Sequence, residues 1–202
     1  MTSPISDPSG VINLALAKIG YPQRIGSLYD GTLAAKKALD VYAQERDTLL
    51  AEGEWDFCER TVSGTLLKQA PGSYIVTPWT TAYPSLPWQF EYAYPADALK
   101  IRTVKRAPVI LPNFDPRYNR FSVDNDAGFT PPQKVILCNV PGAIIVYAGQ
   151  VTNPVQWTPG FLDAFSDRLG KALAPALRDL NAAKLAAAEE QGDTVEAASE
   201  RG

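Results

Sequence analysis

The chain contains no histidine. That removes the commonest general base, the Ser-His and Cys-His nucleophile pairs and the usual zinc ligand together. Cysteine is nearly as scarce. Cys58 and Cys138 are far apart in the chain, too few and too distant for a disulfide framework or a local metal-ligand pair. Each reads as a small, half-buried apolar residue. Neither GxxxxGK[ST] nor GxGxxG occurs, so neither phosphate-cradling motif is available. No apolar run reaches the roughly 18 residues of a membrane-spanning helix. Met1-Thr-Ser-Pro-Ile lacks the basic and apolar regions of a secretory signal, so a cytosolic site of synthesis and use is expected. The enzyme chemistry still open is carboxylate chemistry. Glu52, Glu54 and Asp56 surround Trp55, and paired carboxylates beside an aromatic ring can cut glycosides. Acidic residues at a helix end are more often a solvated rim, so the chain is not expected to be an enzyme, and no catalytic residue, metal or cofactor is assigned.

What is present is an ordinary globular composition: 202 residues, 46% hydrophobic and 20% charged, enough to bury a substantial core. The first zone, to about Glu52, is helical. Asp7-Pro8 sets a capping carboxylate before a proline at the first helical position, and Ile12, Ala15, Leu16 and Ile19 recur on one face before the stop at Gly20. Asp30 is positioned to cap a second helix carrying Ala35, Leu39, Tyr42 and Leu49 as its stripe.

The second zone holds most of the 17 prolines, which excludes long helices. Trp88, Phe90, Tyr92 and Tyr94 alternate, so on a strand their rings share one face, as core or as a contact surface. Tyr94 to Leu99 turns into a strand over 100–105. Further strands are predicted over 121–123, 134–138 and 143–151, the last two joined as a hairpin by Val140-Pro141-Gly142. In the third zone Thr158-Pro159 repeats the cap, and Leu162, Phe165, Leu169, Leu173, Leu177 and Leu180 follow at helical period. Pro175 interrupts that pattern, and a kink near Lys171 is expected. The expectation is an α+β fold: residues 1–54 and 159–180 form one helical bundle, 55–158 is an inserted small antiparallel β region, and 181–202 is a C-terminal arm.

The arm is rich in alanine, and its larger apolar side chains are Leu185 and Val195. Such a segment favours helix locally yet buries too little surface to hold itself down. Glu189, Glu190, Asp193, Glu196 and Glu200 stand there against Lys184 and Arg201. Their balance of −3 equals the net charge of the whole chain, so Met1 to Leu180 is neutral. An acidic tail of this kind suits a basic groove on another protein, though composition alone is equally satisfied by a solvated terminus. The neutral body weighs against duplex binding. The densest basic cluster is Lys100, Arg102, Lys105 and Arg106, with Arg117 and Arg120 nearby.

Taken in order, these segments resemble a family. Ile12-Asn-Leu-Ala-Leu-Ala-Lys-Ile-Gly20, Ile25-Gly-Ser-Leu-Tyr-Asp30, Ala34-Ala35 leading to Tyr42, Arg46-Asp-Thr-Leu-Leu50 and Trp55-Asp-Phe57 look like the head-to-tail adaptors of double-stranded DNA phages, the tail tubular protein A group and related tail accessory factors. Trp88-Gln-Phe-Glu-Tyr-Ala-Tyr-Pro-Ala-Asp-Ala-Leu99 is similar to that family's aromatic strand and its proline-aspartate turn. Pro159-Gly-Phe161, opening a helix with Leu169 and Leu173, extends the likeness. It covers about Val11 to Leu180, with nothing matched from Lys105 to Gln133 and with Pro175 as a departure.

The resemblance implies a connector subunit of a virion, assembled in the host cytoplasm. Twelve copies would form a ring between the capsid portal and a tail nozzle or hub protein, with genomic DNA passing through the lumen and no membrane involved. It assigns portal binding to the arm (Leu185, Glu189, Glu190, Val195, Glu196 and Arg201) and a tail- or neighbour-facing surface to Trp88, Tyr92, Lys100 and Arg102. Two rivals stand beside it: a carboxylate-dependent peptidoglycan glycosidase, and a nucleic-acid-binding module.

Overall fold

Asp7 starts the first helix. Its carboxylate accepts from the Gly10 N–H at 2.8 Å, with Pro8 at the first helical position, so α1 runs Pro8–Lys18. Val11, Ile12, Ala15 and Leu16 are its buried face. Gly20 ends the segment with φ +71°, a left-handed value that disfavours any residue with a Cβ. The computed structural model describes residues 6–72, 80–106 and 120–178. By internal contacts the chain divides into one unit of residues 1–49 with 151–202 and a second of residues 50–150.

Helix α2 spans Leu33–Glu52. Its cap is Thr32, whose Oγ1 accepts from the Ala35 N–H at 3.2 Å. Asp30, expected in that role, instead ties the preceding loop, taking the N–H groups of Gly26 and Thr32 and the Thr32 hydroxyl. The buried positions of α2 in the first unit are Ala34, Ala35, Ala38, Tyr42 and Arg46, whereas Leu39 is 47% exposed. The expected stripe is therefore shifted toward the alanines. A third helix, α3, covers residues 159–178 and continues through Pro175, which lies on its exposed side. Thr158 caps it through the Phe161 and Leu162 N–H groups. Phe161, Phe165, Leu169, Leu173 and Leu177 are at most 2% exposed, each stabilising the fold by about 1.5–3 kcal/mol through burial.

Specific contacts join these helices. Lys18 pairs with Asp163 at 2.6 Å and Asp167 at 2.7 Å, and Arg168 pairs with Glu45 at 2.6 Å. Tyr42 meets the Phe165 ring edge-on, and Trp157 does the same to Phe161 and Phe165.

The second unit is built from strands β1 (Glu59–Ser63), β2 (Leu66–Gln69), β3 (Phe90–Ala93), β4 (Ala98–Arg106), β5 (Phe121–Asp126), β6 (Gln133–Cys138) and β7 (Ala143–Gly149). They form two antiparallel sheets, β1-β7-β4 and β2-β3-β6-β5. Tyr92 and Ile136 from one sheet share a core cluster with Ile101, Val104, Ile145 and Tyr147 from the other. The central strands β6 and β7 read as continuous apolar runs because both of their faces are covered.

These strands overturn the expected architecture. The fold is sheet-rich, with about 27% of the described residues in strands, and the helices do not form a terminal bundle carrying a small β insertion. Three physical features explain the error. Every residue of β1 is exposed, so Glu59–Ser63 carries no burial alternation, and β2 is too short to show one. Val140-Pro141-Gly142 is not a hairpin turn within one sheet, because β6 and β7 belong to different sheets. The turn carries the chain across the core, as Tyr94 to Asp97 does between β3 and β4. Finally, β4 is irregular near Arg102, where pairing to β7 slips between Ile101 and Thr103. That slip lets Ile101 and Val104 both face the core although they stand three residues apart.

Candidate functional site

The four aromatic and basic residues read as a neighbour-facing surface have different environments. Tyr92 is 2% exposed. Its hydroxyl donates to the Val140 carbonyl at 2.9 Å and accepts from the Ala143 N–H at 3.3 Å. It closes the turn between the sheets and presents nothing to a partner. Phe90 and Tyr94 pack against the same cluster, so the aromatic alternation is a core signal. Trp88 is partly buried just before β3. Lys100 is exposed, opposite Ala148 of β7. Arg102 does not share its situation: its guanidinium reaches Glu59 Oε2 and the Gly53 carbonyl, each at 2.9 Å, and so anchors the turn before β1. The six arm residues Leu185, Glu189, Glu190, Val195, Glu196 and Arg201 lie outside the described residues.

Glu52, Glu54 and Asp56 are exposed around the end of α2. Cys58 and Cys138 are buried free thiols, and burial pushes both upward in pKa. A second ionic cluster bridges the strands of the three-stranded sheet at one end. Arg60 pairs with Asp97 and donates to the Gln150 carbonyl at 3.2 Å, while the Tyr147 hydroxyl donates to the other Asp97 oxygen at 2.9 Å.

The most unusual electrostatics lie on the outer face of the four-stranded sheet. Strand alternation points Tyr92 into the core and Glu91 the opposite way, yet Glu91 is also 2% exposed. It lines a recess of about 430 Å³ together with Lys68 from β2, Asp124 and Asp126 from β5, Val135 and Leu137 from β6, and Tyr83. Lys68 pairs with Asp126 and stands 3.8 Å from Glu91 Oε1. Asp126 also accepts from the Gly128 N–H at 2.8 Å. Glu91 Oε1 has no hydrogen-bond partner. Burial, reinforced by the neighbouring Asp126, pushes the Glu91 carboxyl up to about 7, with Lys68 opposing. Asp126 is moved the other way: burial works against its charge, but Lys68, the Gly128 N–H and Glu91 together hold it below the usual carboxylate value.

Sequence reading missed this site. Lys68, Glu91 and Asp126 come from three separate strands, and no local spacing links them. A glutamate between Phe90 and Tyr92 reads as the wet side of an amphipathic strand. The available signal was the unbroken run Val135-Ile-Leu-Cys138, which says that both faces of β6 are covered and that the face shared by Glu91 is not open solvent.

Compared with known proteins, the chain matches no family model and no curated sequence.

Proposed function

We propose that the chain is a structural head-to-tail adaptor subunit of a double-stranded DNA phage, forming a ring that joins the capsid portal to the tail and leaves a channel for DNA. One observation carries this reading. The segments that resemble the adaptor group keep their order along the chain and fall on α1, the Ile25–Asp30 loop, α2, the Trp55–Phe57 connection, β3 with its Tyr94–Asp97 turn, and α3. The likeness therefore takes in elements of both units together with two of the connections between elements.

A closed ring of identical subunits is held by heterologous contacts, in which two different patches meet. Exposed large apolar side chains supporting such patches occur on both units: Tyr29, Leu39 and Val155 on the first, Val62, Leu66, Leu86 and Val123 on the second. In this reading the residues after Leu180 are the portal-binding arm, acidic against a basic groove. Removing them should leave a folded chain that no longer co-sediments with assembled portal rings. Undiminished co-sedimentation of the truncated chain would remove the arm from the mechanism.

A further inference from the structure

The recess over the four-stranded sheet is independent of the portal reading. It joins a buried acceptor, an excess of negative charge and an apolar floor. We propose that it binds an organic cation: an ammonium or guanidinium head group seated against Glu91, its aliphatic stem lying over Val135 and Leu137.

Glu91 Oε1 is walled off from solvent without a hydrogen-bond donor, a costly state that a donor from a ligand relieves. An apolar ligand would leave it unpaired. An anion would meet three carboxylates, Glu91, Asp124 and Asp126, against the single ammonium of Lys68 among the recess residues. A small multivalent metal ion fits poorly. Among the described residues no group of three or more metal-binding side chains is placed to hold an ion. A volume of about 430 Å³ lies within the usual range of small-ligand sites and is far larger than one water requires. The groups facing Glu91 are Lys68 from β2, Asp124 and Asp126 from β5, and Tyr83 from the segment over the sheet. Strand β6 offers only Val135 and Leu137, the surface over which a lysine- or arginine-like stem packs.

The incoming cation takes the position that the proton of Glu91 otherwise stabilises, so binding and deprotonation are linked. The test is calorimetric titration of the full chain with N-acetylargininamide at pH 6 and pH 8, with the uncharged N-acetylcitrullinamide and calcium chloride as controls. Saturable binding of the arginine compound is expected, about tenfold tighter at pH 8, since the ionised fraction of a group titrating near 7 changes by about that factor. Glu91→Gln should lose that pH dependence and at least about tenfold in affinity. In the unsubstituted chain, the carboxyl carbon resonance of Glu91 should titrate at lower pH when N-acetylargininamide is saturating. A peptide with one internal arginine separates the sources: tighter binding than the free compound indicates a partner's side chain, and equal binding a small amine. No saturable binding, equal binding of the citrulline compound, calcium competing for the site, or an unmoved Glu91 titration would each overturn the proposal.

Discussion

Burying Glu91 makes its proton part of the folding equilibrium. The folded chain holds that proton up to about pH 7, against 4.5 for an unhindered glutamate. The stabilisation it contributes is therefore fully present below pH 4.5 and is lost as pH rises through 7. Asp126 behaves oppositely: its folded value is lowered from 3.8, so its contribution is present above that value and is lost in acid. Glutamine at position 91 keeps the shape and discards the charge. Glu91→Gln should match the parent chain near pH 4.5 and exceed it by about 1–3 kcal/mol at pH 8, read from urea denaturation at both pH values. A difference that does not grow with pH would contradict the burial argument. Tyr92→Phe should cost about 1–3 kcal/mol at either pH, because it strips a partner from the Val140 carbonyl and the Ala143 N–H at once.

At the scale of elements, α3 lies close against the end of α1 at Gly170. A Cβ there would stand 3.0 Å from Ile19 Cγ2 and 3.1 Å from the Ala15 carbonyl oxygen. Alanine favours helix by about 1 kcal/mol over glycine, but a backbone oxygen cannot swing aside as a side chain can. Gly170→Ala should therefore destabilise the first unit by about 1–2 kcal/mol, measurable as a lowered thermal midpoint; a raised midpoint would show that propensity wins. What could be read beforehand at this scale was local. Asp7-Pro8 and Thr158-Pro159 mark true helix starts because a cap and its N–H groups lie within four residues of each other. Leu169, Leu173 and Leu177 of α3 are buried as their period predicts, whereas Leu162 is only partly buried and Leu180 lies outside the described residues. Long-range information was not legible. Nothing in Val140-Pro141-Gly142 says whether the next strand returns to the same sheet or crosses to another. Nothing in Glu59–Ser63 distinguishes an exposed edge strand from a polar loop. Even Asp30 and Thr32 compete for one cap on equal chemistry, and the geometry of the loop decides it.

At the scale of the whole molecule, the two units share one arrangement of chain. The first is assembled from both ends of the sequence, and the second from the middle. Across them the described surface carries exposed large apolar side chains, and no described helix is long and apolar enough to cross a membrane. The recess at Glu91 was illegible for the same reason as the sheet crossings, since its residues meet only once three strands are in register. The adaptor reading, in contrast, rests on the order of segments along the chain, and only assembly can test it. The most direct measurement is the solution mass of the chain, alone and mixed with assembled portal rings. The account predicts a single subunit alone and, with the portal, a complex heavier by many copies. A chain that leaves the mass of the portal ring unchanged would contradict it.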